Sequence, residues 1–165
     1  MMATIYISIG SNINPLHHIE LAMQDLRQTF GPIHNSRYYE SEAVGFDGEN
    51  FINLVSSAQT DLPLPDVVAL LHHIEDQHGR DRSAPKFSSR TIDLDLLLYD
   101  DQVYHEAGIE IPRHEILKNA FVLCPLAELN PSGMHPQISK TYAQLWQEFD
   151  QASQPLWPLS ATVKE

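Results

Sequence analysis

Polar and apolar residues alternate along "TIYISIG" (4–10), the period of a strand with one buried face, and the run closes on Gly-Ser-Asn. The pattern then changes period. In "PLHHIELAMQDLRQTFG", Ile19, Ala22, Met23, Leu26 and Phe30 recur on one helical stripe before a terminating Gly31. "IHNSRYYESEAV" (33–44) and "FINLVSSAQT" (51–60) predict two strands, joined by the turn-rich "GFDGEN", a connector long enough to be a mobile loop. A second helix is predicted over "PLPDVVALLHHIEDQHG", which opens on prolines, carries Val67, Leu70, Leu71 and Ile74 at helical spacing and ends at Gly79. "RTIDLDLLLYD" (90–100) predicts the next strand.

The order βαββαβ predicts an α+β, ferredoxin-like sandwich: one antiparallel sheet with helices packed on a single face and the other face left for a ligand. Further on, "IPRHEILKNAFVLCPLAEL" predicts a short helix and a buried segment, and "SKTYAQLWQEFDQ" an amphipathic helix with Tyr142, Leu145, Trp146 and Phe149 facing inward. The last dozen residues are expected to be loosely held. At 165 residues the chain is read as one domain spanning 1–165.

Asp93 and Asp95 interrupt an otherwise apolar strand. Successive strand side chains point to opposite faces, so the two acids share one face, while Ile92, Leu94 and Leu96 share the other. Like charges roughly 6 to 7 Å apart repel unless something positive lies between them. The formal net charge of −12, from 22 acidic and 10 basic residues, disfavours nucleic acid and anionic membrane as partners. Four of the ten basic residues, Arg80, Arg82, Lys86 and Arg90, nevertheless fall within eleven positions just before the paired aspartates. Arginine forks suit phosphate oxygens, and a carboxylate pair suits Mg²⁺, which binds through one or two carboxylates plus substrate phosphates. The pattern points to a site for a metal-bound polyphosphate. Simple neutralisation of the acids by the arginines is the structural alternative.

Other chemistries are less well supported. No GxxxxGK[ST] loop is present, and "IGSN" is too short to count as a phosphate cradle. His17, His18, His72, His73 and His78 raise a zinc-hydrolase reading, but His72 and His73 lack HExxH spacing and a cysteine partner. Neither GxSxG nor a cysteine with an evident base offers a nucleophile, and the single cysteine, Cys124, reads as a small buried apolar residue of a reducing compartment. The start has neither a basic leader nor an apolar run of spanning length, so a cytoplasmic location is expected.

"IGSN", "FINLV", "IEDQHGRDR", "SRTIDLDLLLYD" and "KNAFVLCPLAEL" together resemble the 6-hydroxymethyl-7,8-dihydropterin pyrophosphokinases over nearly the whole chain. The resemblance implies a monomeric, ferredoxin-like enzyme that moves pyrophosphate from ATP to a pterin hydroxymethyl group in folate biosynthesis, releasing AMP. It implies that Asp93 and Asp95 hold two Mg²⁺ ions on the ATP phosphates. Arg80, Arg82 and Arg90 would meet phosphate oxygens, with Arg82 in a segment able to close over ATP. The ATP side would also include Glu75, Lys86, Arg113 and His114. The pterin would be held by Asn53, Asp93, Phe121 and Phe51, and by backbone groups around Ser41 to Val44. The chain departs from the family where R-W-G-P-R becomes "KFSSR", putting Phe87 for a tryptophan and Lys86 for an arginine. It departs again at "PRHE", where Arg113 takes the place of a histidine, and at Gly108 and Asn119, which stand near arginine positions. These changes on the nucleotide side keep open the alternative of a pterin- or nucleotide-binding homologue without turnover.

Overall fold

A computed structural model describes residues 2–43, 48–79 and 91–159. Its main sheet has β1 (Ala3–Ser11) at the centre, paired antiparallel with β4 (Phe51–Thr60) on one side and β5 (Asp93–Tyr99) on the other. The strand predicted over 33–44 is two shorter pieces, β2 (His34–Asn35) and β3 (Tyr39–Ser41), both paired with β4. Beyond β3 the sheet gains β8 (Trp157–Pro158), giving the order β5-β1-β4-β3-β8. The architecture is mixed helix and antiparallel sheet.

Alternation along the strands divides the sheet into two faces. Ile5, Ile7, Ile9, Ile52, Leu54, Leu94 and Leu96 meet α1 (Pro15–Phe30) and α2 (Leu64–Gln77) in one core. The helical stripe of α1 is buried as predicted, and Gly31 ends the helix, its N–H donating to the Arg27 carbonyl at 2.9 Å. The other face is not left open along its length. Val55, Leu97 and Leu98 form a second core there with α3 (Glu115–Lys118), α4 (Ala120–Leu129) and α5 (Tyr142–Glu148). The expectation of helices on one face only is therefore corrected, because "AFVLCPLAEL" is a helix, with Pro125 inside it, rather than a plain buried segment.

Leu97 and Leu98 reach the same face through a bulge: Ile7 pairs with Leu96, but Tyr6 pairs with Leu98, so Leu97 is the extra residue. The bulge separates the polar half of β5 from its apolar half. A hairpin missed by the sequence pattern, β6 (Tyr104–Glu106) and β7 (Ile109–Ile111), turns through Ala107 and Gly108, both at positive φ (54° and 78°), as two-residue hairpin turns require. The final described residues are also held. Gln154 donates to the Lys118 carbonyl at 2.8 Å, Leu159 donates to the Tyr38 carbonyl at 2.9 Å, and Trp157 donates to Glu40 at 3.2 Å. Of the last dozen residues, expected to be loosely held, 160–165 lie outside the described residues.

Leu26 has no exposed surface, so Leu26→Ala should destabilise the fold by about 2–5 kcal/mol in urea unfolding. Leu117→Ala, at a position 38 % exposed, should cost less than about 0.5 kcal/mol.

Candidate active site

The register of β1 assembles the polar end of the second face. Gly10 lies between Asn53 and Asp93, and Ser8 between Val55 and Asp95. Side chains from β1, β4, β5 and α4 thus converge on a cleft of 130 Å³, lined among others by Ser8, Gly10, Asn53, Asp93, Asp95 and Phe121. Gly10 is required by close approach: a Cβ there would lie 2.5 Å from Asn53 Nδ2. Asn53 is 5 % exposed, and its Oδ1 is buried without a hydrogen-bond partner among the described residues. An orphaned acceptor of this kind costs free energy until a donor reaches it.

Two hydrogen-bonded ties hold the elements around the cleft. Glu75 of α2, 2 % exposed, accepts the Leu94 N–H at 2.8 Å and so fixes the residue between the two aspartates. On the far side, Tyr39 donates to Glu128 of α4, and Glu128 also accepts the Arg37 N–H at 2.7 Å and Arg37 Nε at 3.2 Å. Burial first, and the Glu128 bond second, push the Tyr39 hydroxyl well above its usual range, so it serves as a donor. Phe121 on α4 is thereby held over the cleft.

The segment after the cis Ile111–Pro112 bond supplies the cation. The Arg113 N–H donates to the carbonyl of the bulged Leu97 at 3.2 Å. Its guanidinium lies 3.8 Å from Asp95 Oδ1 and 2.5 Å from Glu115 Oε2. Burial works against the Arg113 charge, but attraction from Asp95 and the bond to Glu115 outweigh it and raise the pKa above the ordinary arginine value. Arg113 and Asp95 also line a second cavity, of 290 Å³, between α2 and the β6–β7 hairpin, with His72, Gly108 and Ile109. The two cavities meet at Asp95 and Arg113.

The sequence candidates divide accordingly. Asn53, Asp93, Asp95, Phe121 and Arg113 come together at the cleft. Phe51 sits two residues before Asn53 on the same strand face, paired with Ser41 on β3. Glu75 lies under β5 rather than in either cavity lining. His114 points to Glu110, with Nδ1 2.7 Å from Glu110 Oε1, and lines neither cavity. Val44, Arg80, Arg82, Lys86, Phe87 and Arg90 lie outside the described residues. Of the zinc candidates, His78 bonds Asp25 at 2.7 Å and His17 packs against His18. Among the described residues the one group with metal-ligand spacing is Glu110, His114 and Glu115 instead. Cys124 is half-buried beside Tyr39, and burial pushes its thiol up. Sequence reasoning missed Ser8, Gly10 and Glu115. Alternation in "YISIG" already placed the first two on the polar face.

The profile of the 7,8-dihydro-6-hydroxymethylpterin-pyrophosphokinase family matches residues 6–131. The chain belongs to this family. The 2-amino-4-hydroxy-6-hydroxymethyldihydropteridine pyrophosphokinase of Aquifex aeolicus is 34 % identical over 84 % of this chain and 88 % of its own. That of Synechocystis is 32 % identical over 93 % and 79 %. The fold is also similar to that in a crystal structure of Plasmodium falciparum HPPK-DHPS, with a TM-score of 0.71 at 13 % identity, covering 90 % of this chain. This chain spans 44 % of that one. A further HPPK-DHPS crystal structure, in complex with substrates, gives a TM-score of 0.73 at 11 % identity over 92 % of this chain and 44 % of its own.

The crowding at Gly10 can be tested directly. Gly10→Ala should displace the Asn53 amide and destabilise the protein by about 1–3 kcal/mol in urea unfolding, with the Asn53 side-chain amide resonances shifting. Unmoved resonances would contradict the close approach.

Proposed function

We propose that this protein transfers pyrophosphate from ATP to the hydroxymethyl group of 6-hydroxymethyl-7,8-dihydropterin, releasing AMP, in folate biosynthesis. The observation that carries the reading is the cleft itself: a buried asparagine with an orphaned acceptor faces two strand carboxylates across Gly10. A pterin is rich in N–H donors, and its flat ring suits a narrow cleft capped by Phe121. The 290 Å³ cavity shares Asp95 and Arg113 with that cleft, which supports placing ATP there with its phosphates toward the aspartates.

In the reaction, the pterin hydroxymethyl oxygen forms a bond to the β-phosphorus while the bond from that phosphorus to the oxygen shared with the α-phosphate breaks. AMP keeps that oxygen, and the hydroxymethyl proton is lost. Catalysis of this kind rests on positioning and charge neutralisation, so no covalent nucleophile is needed. Asn53 and Phe121 orient the pterin, with Phe51 and Ser41 beside them on β4 and β3, and Asp93 also borders the pterin side; the resemblance adds the backbone of Val44. The donor set of two carboxylates on one strand face fits Mg²⁺, and Asp93 and Asp95 would hold two ions. When bound, Mg²⁺ supplies neutralisation of phosphate charge. Arg113 faces the phosphate path, and the family resemblance assigns phosphate contacts to Arg80, Arg82, Lys86 and Arg90 as well. Glu75 acts by fixing β5, and His114 by its tie to Glu110.

Counting β2 and β3 as one strand, the order β5-β1-β4-β3 supports a ferredoxin-like topology. No helix among the described residues is long and apolar enough to cross a membrane. We read the protein as a cytoplasmic, monomeric, single-domain enzyme.

The test is AMP release from ATP with 6-hydroxymethyl-7,8-dihydropterin, with and without Mg²⁺. Wild-type protein should release AMP only with Mg²⁺, and Asp95→Ala should lower the rate at least about a hundredfold while keeping its far-UV spectrum. Binding of both ligands with no AMP from wild type would instead make it a binding homologue.

A further inference from the structure

Arg113 carries a permanent charge into a cleft where, on the reading above, a divalent cation must reach Asp95. Its guanidinium approaches both carboxylates but bonds only one. The 2.5 Å contact with Glu115 is a hydrogen bond, whereas 3.8 Å to Asp95 is beyond hydrogen-bond length. Arg113 Nε is buried without a partner, so Glu115 is the side chain that fixes the fork among the described residues. Glu115 stands at the first position of α3, its Oε2 on Arg113 and its Oε1 buried without a hydrogen-bond partner among the described residues.

We propose that Glu115 is a positioning residue for the metal step: it holds Arg113 back from Asp95, so that a divalent cation rather than the guanidinium takes that carboxylate. The inference rests on the assignment of Asp93 and Asp95 as metal ligands. Without Glu115, Arg113 would close the remaining distance and form a charge-assisted pair with Asp95, in direct competition with the metal. Glu115 then has an effect opposite in origin to that of a ligand. It acts by restraining a competitor.

The experiment is Mn²⁺ binding, followed by electron paramagnetic resonance in the presence of a non-hydrolysable ATP analogue, on the full chain. Glu115→Gln should weaken Mn²⁺ binding by roughly two- to fivefold, the scale of a partly exposed ion pair, with pterin affinity and melting temperature unchanged. Glu115→Asp should restore most of the loss. Adding Arg113→Met to Glu115→Gln should return Mn²⁺ affinity to the wild-type level or better. Unchanged binding in Glu115→Gln overturns the proposal. So does a double variant that stays as weak as the single one, since Glu115 would then act by its own charge. If wild-type protein binds no Mn²⁺, the metal assignment itself fails, and the inference with it.

Discussion

The pairing of β1 between β4 and β5 is the constraint on which the cleft depends. Because side chains alternate with a period of two, setting Gly10 opposite both Asn53 and Asp93 determines that Ser8 falls beside Asp95 and that Ile5, Ile7 and Ile9 all face α1 and α2. A slip of one residue in the β1–β5 pairing would bury both carboxylates in the isoleucine core, and one in the β1–β4 pairing would turn Asn53 into it. The hydrophobic core and the polar cleft are therefore specified by the same register. Gly10 adds a local requirement, since only a residue without Cβ lets the Asn53 amide lie across the central strand.

β5 is an edge strand, and edge strands present unpaired backbone groups. Glu75 turns that liability into a tether by accepting the Leu94 N–H from the buried side of α2. Leu94 is flanked by the two aspartates, so their spacing is fixed by a group on the opposite face. The Arg37–Glu128–Tyr39 network does the same for α4. In both cases a side chain remote from the cleft holds an element that contributes to it.

Much of this was legible in the sequence. The stripe Ile19, Ala22, Met23, Leu26, Phe30 reports its own burial, because a 3.6-residue period has one simple explanation. The DLD step likewise revealed two acids on one face. What the pattern could not show was anything set by pairing or by a turn. The bulge at Leu97 leaves no mark in "LLL", because all three residues are apolar whichever face they take. The 33–44 segment breaks into β2 and β3 although its composition reads as continuous strand. The β6–β7 hairpin was missed because its strands are three residues long and its turn begins with alanine, a residue seldom found at positive φ. Asn53 was visible as a polar residue on a buried strand, whereas Gly10, its partner, looked like an ordinary strand end.

The segment from Arg113 to Glu115 shows how a fixed charge is accommodated beside the strand carboxylates. The family resemblance implies a histidine where this chain has Arg113. A histidine can give up its proton and become neutral, but a guanidinium stays ionised at any pH the protein meets. Placed near Asp95, it needs an acceptor that satisfies its donors without closing off the aspartate. Glu115, two residues on, meets that need at 2.5 Å, and neighbouring His114 is itself occupied by Glu110. Arg113, held by Glu115, is thus the cation of this turn that faces the strand carboxylates.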